Sequence, residues 1–219
     1  MHPGGGCVLG FRMKFERGIG MLIEETNVPD TALPLAAFKA HMRMGTGFGE
    51  DTLQDAVLTS FLRAAMAAIE ARTGKALIER EFTLALSGLP ASDAVALTVA
   101  PVTVIVEVQL VSRSGVQTAI DAGQYWLERD GHTPRLRAVG AALPRPEAGG
   151  EVRVRFLAGY GPEWDDVPVD LQQAVLMLAT HYYEYRHDTA LTDGCMPFGV
   201  TSLIERFRTL RLGRSGAQA

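Results

Sequence analysis

Few stretches of this sequence place reactive side chains at spacings that chemistry could use. GTGFGE at Gly45–Glu50 has loop glycines, but it lacks the lysine and hydroxyl of a phosphate-binding loop and follows a helical pattern where such a loop follows a strand. It reads as a connection between two helices. His181 and Glu184 stand one helical turn apart and could share a metal ion, yet no second histidine joins their face, because His187 points to the opposite side. His181 flanks an apolar stripe and reads as a packed side chain. Tyr182, Tyr183 and Tyr185 could stack on bases or sugars; Tyr182 and Tyr185 fall on the core stripe, which leaves Tyr183 for an interface. No serine occupies a GxSxG elbow, and neither Cys7 nor Cys195 has a nearby histidine–acid pattern. Asp165 and Asp166 lead into a helix, where capping accounts for them. The sequence therefore names no catalytic residue, no metal ligand and no cofactor, and a role other than catalysis is expected.

One cluster asks for a partner. Arg206, Arg208 and Arg211 alternate with Phe207 and Leu210 near the C-terminus, and Arg214 stands just beyond. Basic residues in a last helical turn complement the helix dipole. Four arginines within nine positions exceed that need, and an acidic protein surface is the second explanation.

The elements that position these residues follow from hydrophobic spacing. A first helix is expected from Asp30–Thr31, with Pro34 in its first turn and Leu35, Phe38 and Met42 on one side. A second follows a cap at Asp51 or Thr52. Its two apolar rows, Leu53, Val57, Phe61, Ala65 and Leu58, Leu62, Met66, Ile69, suit burial against more than one neighbour, and Gly74 ends it. Strands are expected at Glu81–Leu86, Val95–Val99, Val102–Ser112, Gln117–Ile120, Tyr125–Glu128, Arg135–Ala138 and Val152–Ala158. Val152, Val154 and Phe156 alternate with Arg153 and Arg155, a strand with one wet face, whereas Val102–Val111 reads as buried on both faces. Turns are expected at Ser87–Gly88, Ser114–Gly115, Asp130–Gly131 and Gly149–Gly150. A third helix begins at Pro168 with Asp166 as a nearby cap; Leu171, Ala174, Val175, Leu178, Tyr182 and Tyr185 share one face. A fourth carries Val200, Leu203, Ile204, Phe207 and Leu210 and ends at Gly213.

This is an α+β fold: a bundle of about four helices, two N-terminal and two C-terminal, with a central antiparallel β-rich region. The expected divisions are a flexible arm at 1–29, a helix pair at 30–79, a β-rich region at 80–160, a helix pair completing the bundle at 161–213 and a disordered tail at 214–219. The bundle core is expected to include Leu171, Val175, Leu178, Tyr182, Tyr185, Leu203 and Ile204. With 219 residues, 47% of them hydrophobic and 21% charged, the chain can bury a sizeable core without disulfides or metal. Two distant cysteines suit a reducing cytoplasm, and a net charge of −4 argues against a general coat on nucleic acid. No run approaches the roughly 18 apolar residues of a membrane span, and residues 1–20 do not form a convincing signal peptide. The translation start is Met1, Met13 or Met21.

In order along the chain, several pieces resemble the phage head–tail connector (head-completion adaptor) family, including its version in phage-derived gene transfer agents. LPLAAFKAHMRM, with Lys39, His41 and Arg43, is similar to that family's opening helix. Glu70, Thr73, Gly74, Lys75 and Leu77 resemble its helix-to-strand junction. Pro101-Val102 leading into a strand, Tyr125-Trp126-Leu127 with Pro134-Arg135-Leu136, and FLAGYGPEWDDVPVDLQQAVLMLATHYYEYR follow as they do there. Pro197-Phe198-Gly199-Val200 opens the closing helix, with Leu203 and Arg208. The series runs from about Leu33 to Leu212, and its order is more specific than any single piece. Lys75 stands where arginine is common, Ile204 where a second leucine is usual, and residues 1–20 have no counterpart.

The resemblance implies a structural subunit of a ring, of twelve copies, that binds the portal and presents a docking surface to a stopper or tail-completion protein while double-stranded DNA passes through without sequence-specific binding. It also implies a C-terminal helix that engages the portal, here through Arg206, Phe207, Arg208, Leu210, Arg211 and Arg214. The protein would be made in the bacterial cytoplasm and end in the neck of a phage-like particle. Competing readings are a stopper or tail-terminator ring of the same particle, a small α+β hydrolase or nucleotide-binding enzyme, and a DNA-binding regulator.

Overall fold

The computed structural model describes residues 10–15, 18–43, 52–88, 94–140, 142–186 and 196–208. Four α-helices form one layer, α1 (Leu35–His41), α2 (Thr52–Thr73), α3 (Val169–Glu184) and α4 (Phe198–Ile204). Nine strands form the other, β1 (Gly10–Phe15), β2 (Gly18–Glu24), β3 (Arg80–Leu86), β4 (Ala94–Ala96), β5 (Val102–Val111), β6 (Gln117–Ala119), β7 (Tyr125–Glu128), β8 (Arg135–Ala138) and β9 (Glu151–Ala158). They make an antiparallel six-stranded sheet in the order β1-β2-β3-β9-β5-β6 and a three-stranded sheet in the order β4-β8-β7. The α+β architecture is the one the hydrophobic spacing describes.

Each layer has its own apolar core. Phe38 of α1, Leu58, Leu62, Ala65, Met66 and Ile69 of α2, Leu171, Ala174, Val175 and Leu178 of α3, and Val200 and Ile204 of α4 are buried together. In the sheets, Phe82 faces Phe156 across the β3–β9 register with ring centroids 5.9 Å apart, and Leu84 faces Val154. Leu136, Val95 and Val108 belong to the same cluster. On the wet face, Arg155 reaches Glu81 at 2.8 Å and Glu107 at 3.9 Å, so the alternation in β9 puts its charges across the neighbouring strands.

Several expectations change. Within the span expected as a flexible arm, Gly10–Phe15 and Gly18–Glu24 form β1 and β2, with Gly20–Glu24 paired on the edge of β3. The first helix does not start at Asp30. A 3-10 turn spans Asp30–Ala32, and Pro34, whose ring fixes φ and which lacks an N–H, stands at the N-cap of α1. Val57 lies outside the core and half-exposed, so the apolar stripe of α2 is narrower than its sequence suggests. Asp166 does not cap α3: its carboxylate accepts the N–H of Glu163 at 3.0 Å within a 3-10 turn, and Pro168 holds the N-cap. In β5 the register with β9 slips twice, between Val102 and Val104 and between Ile105 and Glu107, and those two bulges turn Val104 and Val106 out to solvent instead of burying both faces.

The layers meet where α2 runs into β3. Gly74 ends the helix at φ +67, its N–H donating to Glu70 O at 2.8 Å. Glu70 then turns back: its carboxylate accepts the N–H of Leu77 (2.8 Å) and both terminal nitrogens of Arg80 (2.9 and 2.7 Å). Arg80, 8% exposed, also donates to Glu24 of β2 at 2.6 Å. Burial works against the charge on Arg80, and the hydrogen bonds and proximity of Glu70 and Glu24 more than offset it, holding the guanidinium above its ordinary pKa. The loop after β9 lies directly on this junction, with Glu79 N–H donating to Gly161 O (2.8 Å) and Gly159 N–H to Pro101 O (2.9 Å).

That close approach explains two glycines. A Cβ on Gly159 would lie 2.3 Å from Glu79 Cα, at a φ of +145, and one on Gly161 would lie 2.2 Å from the Asp166 carboxylate. Gly74 has open space around it. Gly159→Ala is therefore expected to lower stability by more than about 3 kcal/mol in urea unfolding followed by circular dichroism, because steric overlap adds to backbone strain. Gly74→Ala should cost only about 1 kcal/mol, from the left-handed conformation alone.

Candidate docking surface

The arginine-bearing end of the chain is built on α4 and the 3-10 turn Glu205–Phe207 that continues it. The expected single helix through Leu210 is thus shorter, with α-helical geometry ending at Ile204. Val200 and Ile204 anchor it in the helical core, and Leu203 and Phe207 pack partly buried against the same cluster. Arg206 donates to Asp170, in the first turn of α3, at 2.8 Å, and its guanidinium lies 4.7 Å from the Phe207 ring centroid. Arg208 pairs with Glu205 at 3.1 Å. Two of the four arginines thus have acidic partners inside the chain. Leu210, Arg211 and Arg214 lie outside the described residues, as do Gly45–Glu50, Cys7, Cys195 and His187.

Of the residues expected in the bundle core, Leu171, Val175, Leu178 and Ile204 are buried, and Tyr182 and Leu203 are partly buried against them. Tyr185 is a correction: it follows the last residue of α3, is 48% exposed, and lies against His181 with ring centroids 4.7 Å apart. The helical stripe stops guiding side chains inward once the helix ends. Tyr183 packs edge-on against Phe61 at 6.0 Å, and Arg186 covers its ring at 4.4 Å. Among the described residues no group of three His, Cys, Asp or Glu side chains could hold a metal ion, and no helix is long and apolar enough to cross a membrane.

Beside the last turn the structure opens a cleft of about 760 Å³. Asp170, Ser202, Leu203, Glu205, Arg206 and Arg208 form one wall; Asp130, His132 and Thr133, from the turn between β7 and β8, form the other. Asp130 shapes that turn by accepting the N–H groups of His132 (2.7 Å) and Thr133 (2.9 Å), and these bonds hold its carboxyl below the ordinary range. Lys75 holds the turn from beneath. Its ammonium donates to the Gly131 carbonyl and lies 3.2 Å from His132 Nδ1, while the residue is only 2% exposed. Burial pushes the Lys75 pKa down, and Asp130 partly opposes the shift.

Spacing could not find this wall, since Lys75 and His132 are 57 positions apart. The available signal was a lone lysine beside the apolar run Ala76–Ile78, a charge that needs a buried acceptor.

Among solved structures, the chain is similar to a chain in the neck of an empty gene transfer agent particle computed with six-fold symmetry: 50% identity, TM-score 0.81, 89% of this chain and 98% of that one covered. It is similar to a chain in the virion of a native gene transfer agent particle, at 50% identity and TM-score 0.78, covering 88% and 97%. It is also similar to a chain in the neck of the native particle computed with twelve-fold symmetry, at 48% identity and TM-score 0.77, covering 89% and 98%. No family model matches the chain, and no curated protein does.

A depressed lysine pKa means that the unfolded chain binds more protons than the folded one just below the ordinary value of 10.5, so stability rises with pH in that window. Relative to Lys75→Met, the wild-type urea midpoint should therefore move upward as pH is raised from about 8 toward 10.5. A constant gap would show that the ammonium is not desolvated.

Proposed function

Since the chain belongs to the head–tail connector family found in the necks of gene transfer agent particles, we propose that it is the adaptor subunit of such a neck: a ring of identical copies seated against the portal. The observation that carries the reading is 48–50% identity spread over 97–98% of chains that lie in that particle, two of them in necks computed with six- or twelve-fold symmetry. The symmetry supports a ring, and a dodecamer fits the twelve-fold case. Work of this kind needs buried area and shape in place of a reactive centre. A net charge of −4 suits a channel through which DNA slides without being gripped by its phosphates.

The portal-docking element is the end of the chain from Arg206 to Arg214, through Arg206, Phe207, Arg208, Leu210, Arg211 and Arg214, with the adjoining cleft beside it. Arg206 has a second duty in holding the 3-10 turn to α3 through Asp170, so its loss would disturb the fold as well as the contact. A stopper or tail-terminator ring in the same neck is the competing position, and it differs in its partner: such a ring contacts the tail side.

Native mass spectrometry of the protein with its cognate portal separates the two. The adaptor reading expects a fixed complex with about twelve copies per portal; binding to tail-side proteins alone would move the chain down the neck. Arg208→Glu, Arg211→Glu and Arg214→Glu together, with Arg206 kept, should weaken portal binding at least tenfold while the thermal midpoint stays within a few degrees. Unchanged binding would remove the arginines from the contact.

A further inference from the structure

Lys75 is almost fully enclosed where α2 gives way to β3, yet its ammonium reaches the exposed turn between β7 and β8. There it donates to the Gly131 carbonyl and lies 3.2 Å from His132 Nδ1. An ammonium has hydrogens to give and no lone pair to accept with. Nδ1 of His132 is therefore the accepting nitrogen, and the neutral ring carries its proton on Nε2.

The charges around the ring decide what a second proton does. On the same turn stands Asp130, whose carboxylate feels the charge of His132 and of Arg135 in β8. Across the cleft, Asp170 is matched by Arg206 at 2.8 Å and Glu205 by Arg208 at 3.1 Å. That leaves Lys75 as the cation against the ring and Asp130 as the acid beside it. A proton on Nδ1 removes the acceptor and sets two positive groups 3.2 Å apart, one of them on a buried residue where water screens little. The same charge is attracted toward Asp130. Asp130 meanwhile holds the turn by accepting the N–H groups of His132 and Thr133, bonds that do not need a neutral ring. Two sets of bonds thus fix this wall of the cleft, and only the set made by Lys75 depends on the protonation of His132.

We propose that Lys75 and His132 form a proton-sensitive latch on the cleft. It is closed while the imidazole is neutral, and it releases the turn that walls the cleft when Nδ1 takes a proton. Histidine is the side chain whose charge ordinarily changes between about pH 5 and 8, so mild acidification is the trigger. The latch stands on the geometry of the chain itself. That its release weakens docking beside the cleft rests on the adaptor reading above and deepens it.

The test is NMR of the full chain, labelled with 15N, followed from about pH 8 down to about pH 5.5. At the upper end the His132 ring should show Nδ1 bare and the proton on Nε2. On acidification, amide exchange at His132 and Thr133, corrected for its intrinsic pH dependence, should rise about tenfold relative to β8. His132→Gln keeps an acceptor for Lys75 and takes no proton, so its corrected exchange should stay constant. Lys75→Met should exchange at the released rate at both ends of the range. A proton on Nδ1 at the upper end, an unaltered turn at the lower end, or the same rise in His132→Gln would each overturn the latch. Portal binding measured on the same samples separates the two claims. Wild-type affinity should fall at least fivefold on acidification while that of His132→Gln holds; equal wild-type affinity at both ends would overturn the control of docking. A chain that shows the latch but never binds the portal would bring down the docking reading alone.

Discussion

The structure depends on the carboxylate of Glu70. Carried on the last turns of α2, it accepts from the backbone of the chain just after the helix and from Arg80, the first residue of β3. Arg80 carries the link on to Glu24 in β2. A buried ion pair of this kind adds little net stability, because removing both charges from water costs nearly as much as their attraction returns. What it does impose is geometry. Leu77 N–H and two guanidinium nitrogens converge on one side chain, which ties the end of the helical layer to the start of β3. Breaking the set by removing one partner leaves a charge buried alone, at a cost of about 3–5 kcal/mol.

From that junction the constraint spreads in two directions. Toward the sheet, Ala76 N–H donates to Ala100 O and Ala100 N–H to Gly74 O, which sets where β5 begins. Across the junction lies the Gly159–Gly161 loop, admitted only because Gly159 and Gly161 have no side chains to collide with Glu79 and Asp166. Toward the arginine-bearing segment, Lys75 reaches the turn between β7 and β8, and that turn faces the 3-10 turn Glu205–Phe207 across the cleft. A surface made from both layers is thus positioned by residues packed where the layers join. If that surface docks a partner as proposed, a fixed seam serves it, since a docking surface keeps its shape only if its two walls keep their distance.

Each layer closes its own core, and on β5 the alternation is broken so that Val104 and Val106 remain outside it. Two register shifts against β9 place them there, interrupting the pairing of the two strands without ending β5.

Much of this was legible in the sequence. Apolar and β-branched runs between turn residues located β7 and β8 to the residue and β3, β5 and β9 to within one; in β9 the alternation also gave the wet face, whereas the continuous run of β5 hid the one it has. The 3.6-residue stripe of Leu171, Val175 and Leu178 located α3 for the same reason. The ordered resemblance implies a connector, although spacing alone names no site. What the sequence could not supply are relations between distant residues. β2 is a strand because β3 leaves an edge open to it; Val104 faces water because β5 slips against β9; Tyr185 is exposed because α3 stops at Glu184; Arg206 meets Asp170, and Lys75 meets Gly131, only after the layers have packed. Periodicity is a local property, written in each segment by the face it must bury. Register, bulges and long-range ion pairs depend on which segment lies opposite, and only the tertiary structure decides that.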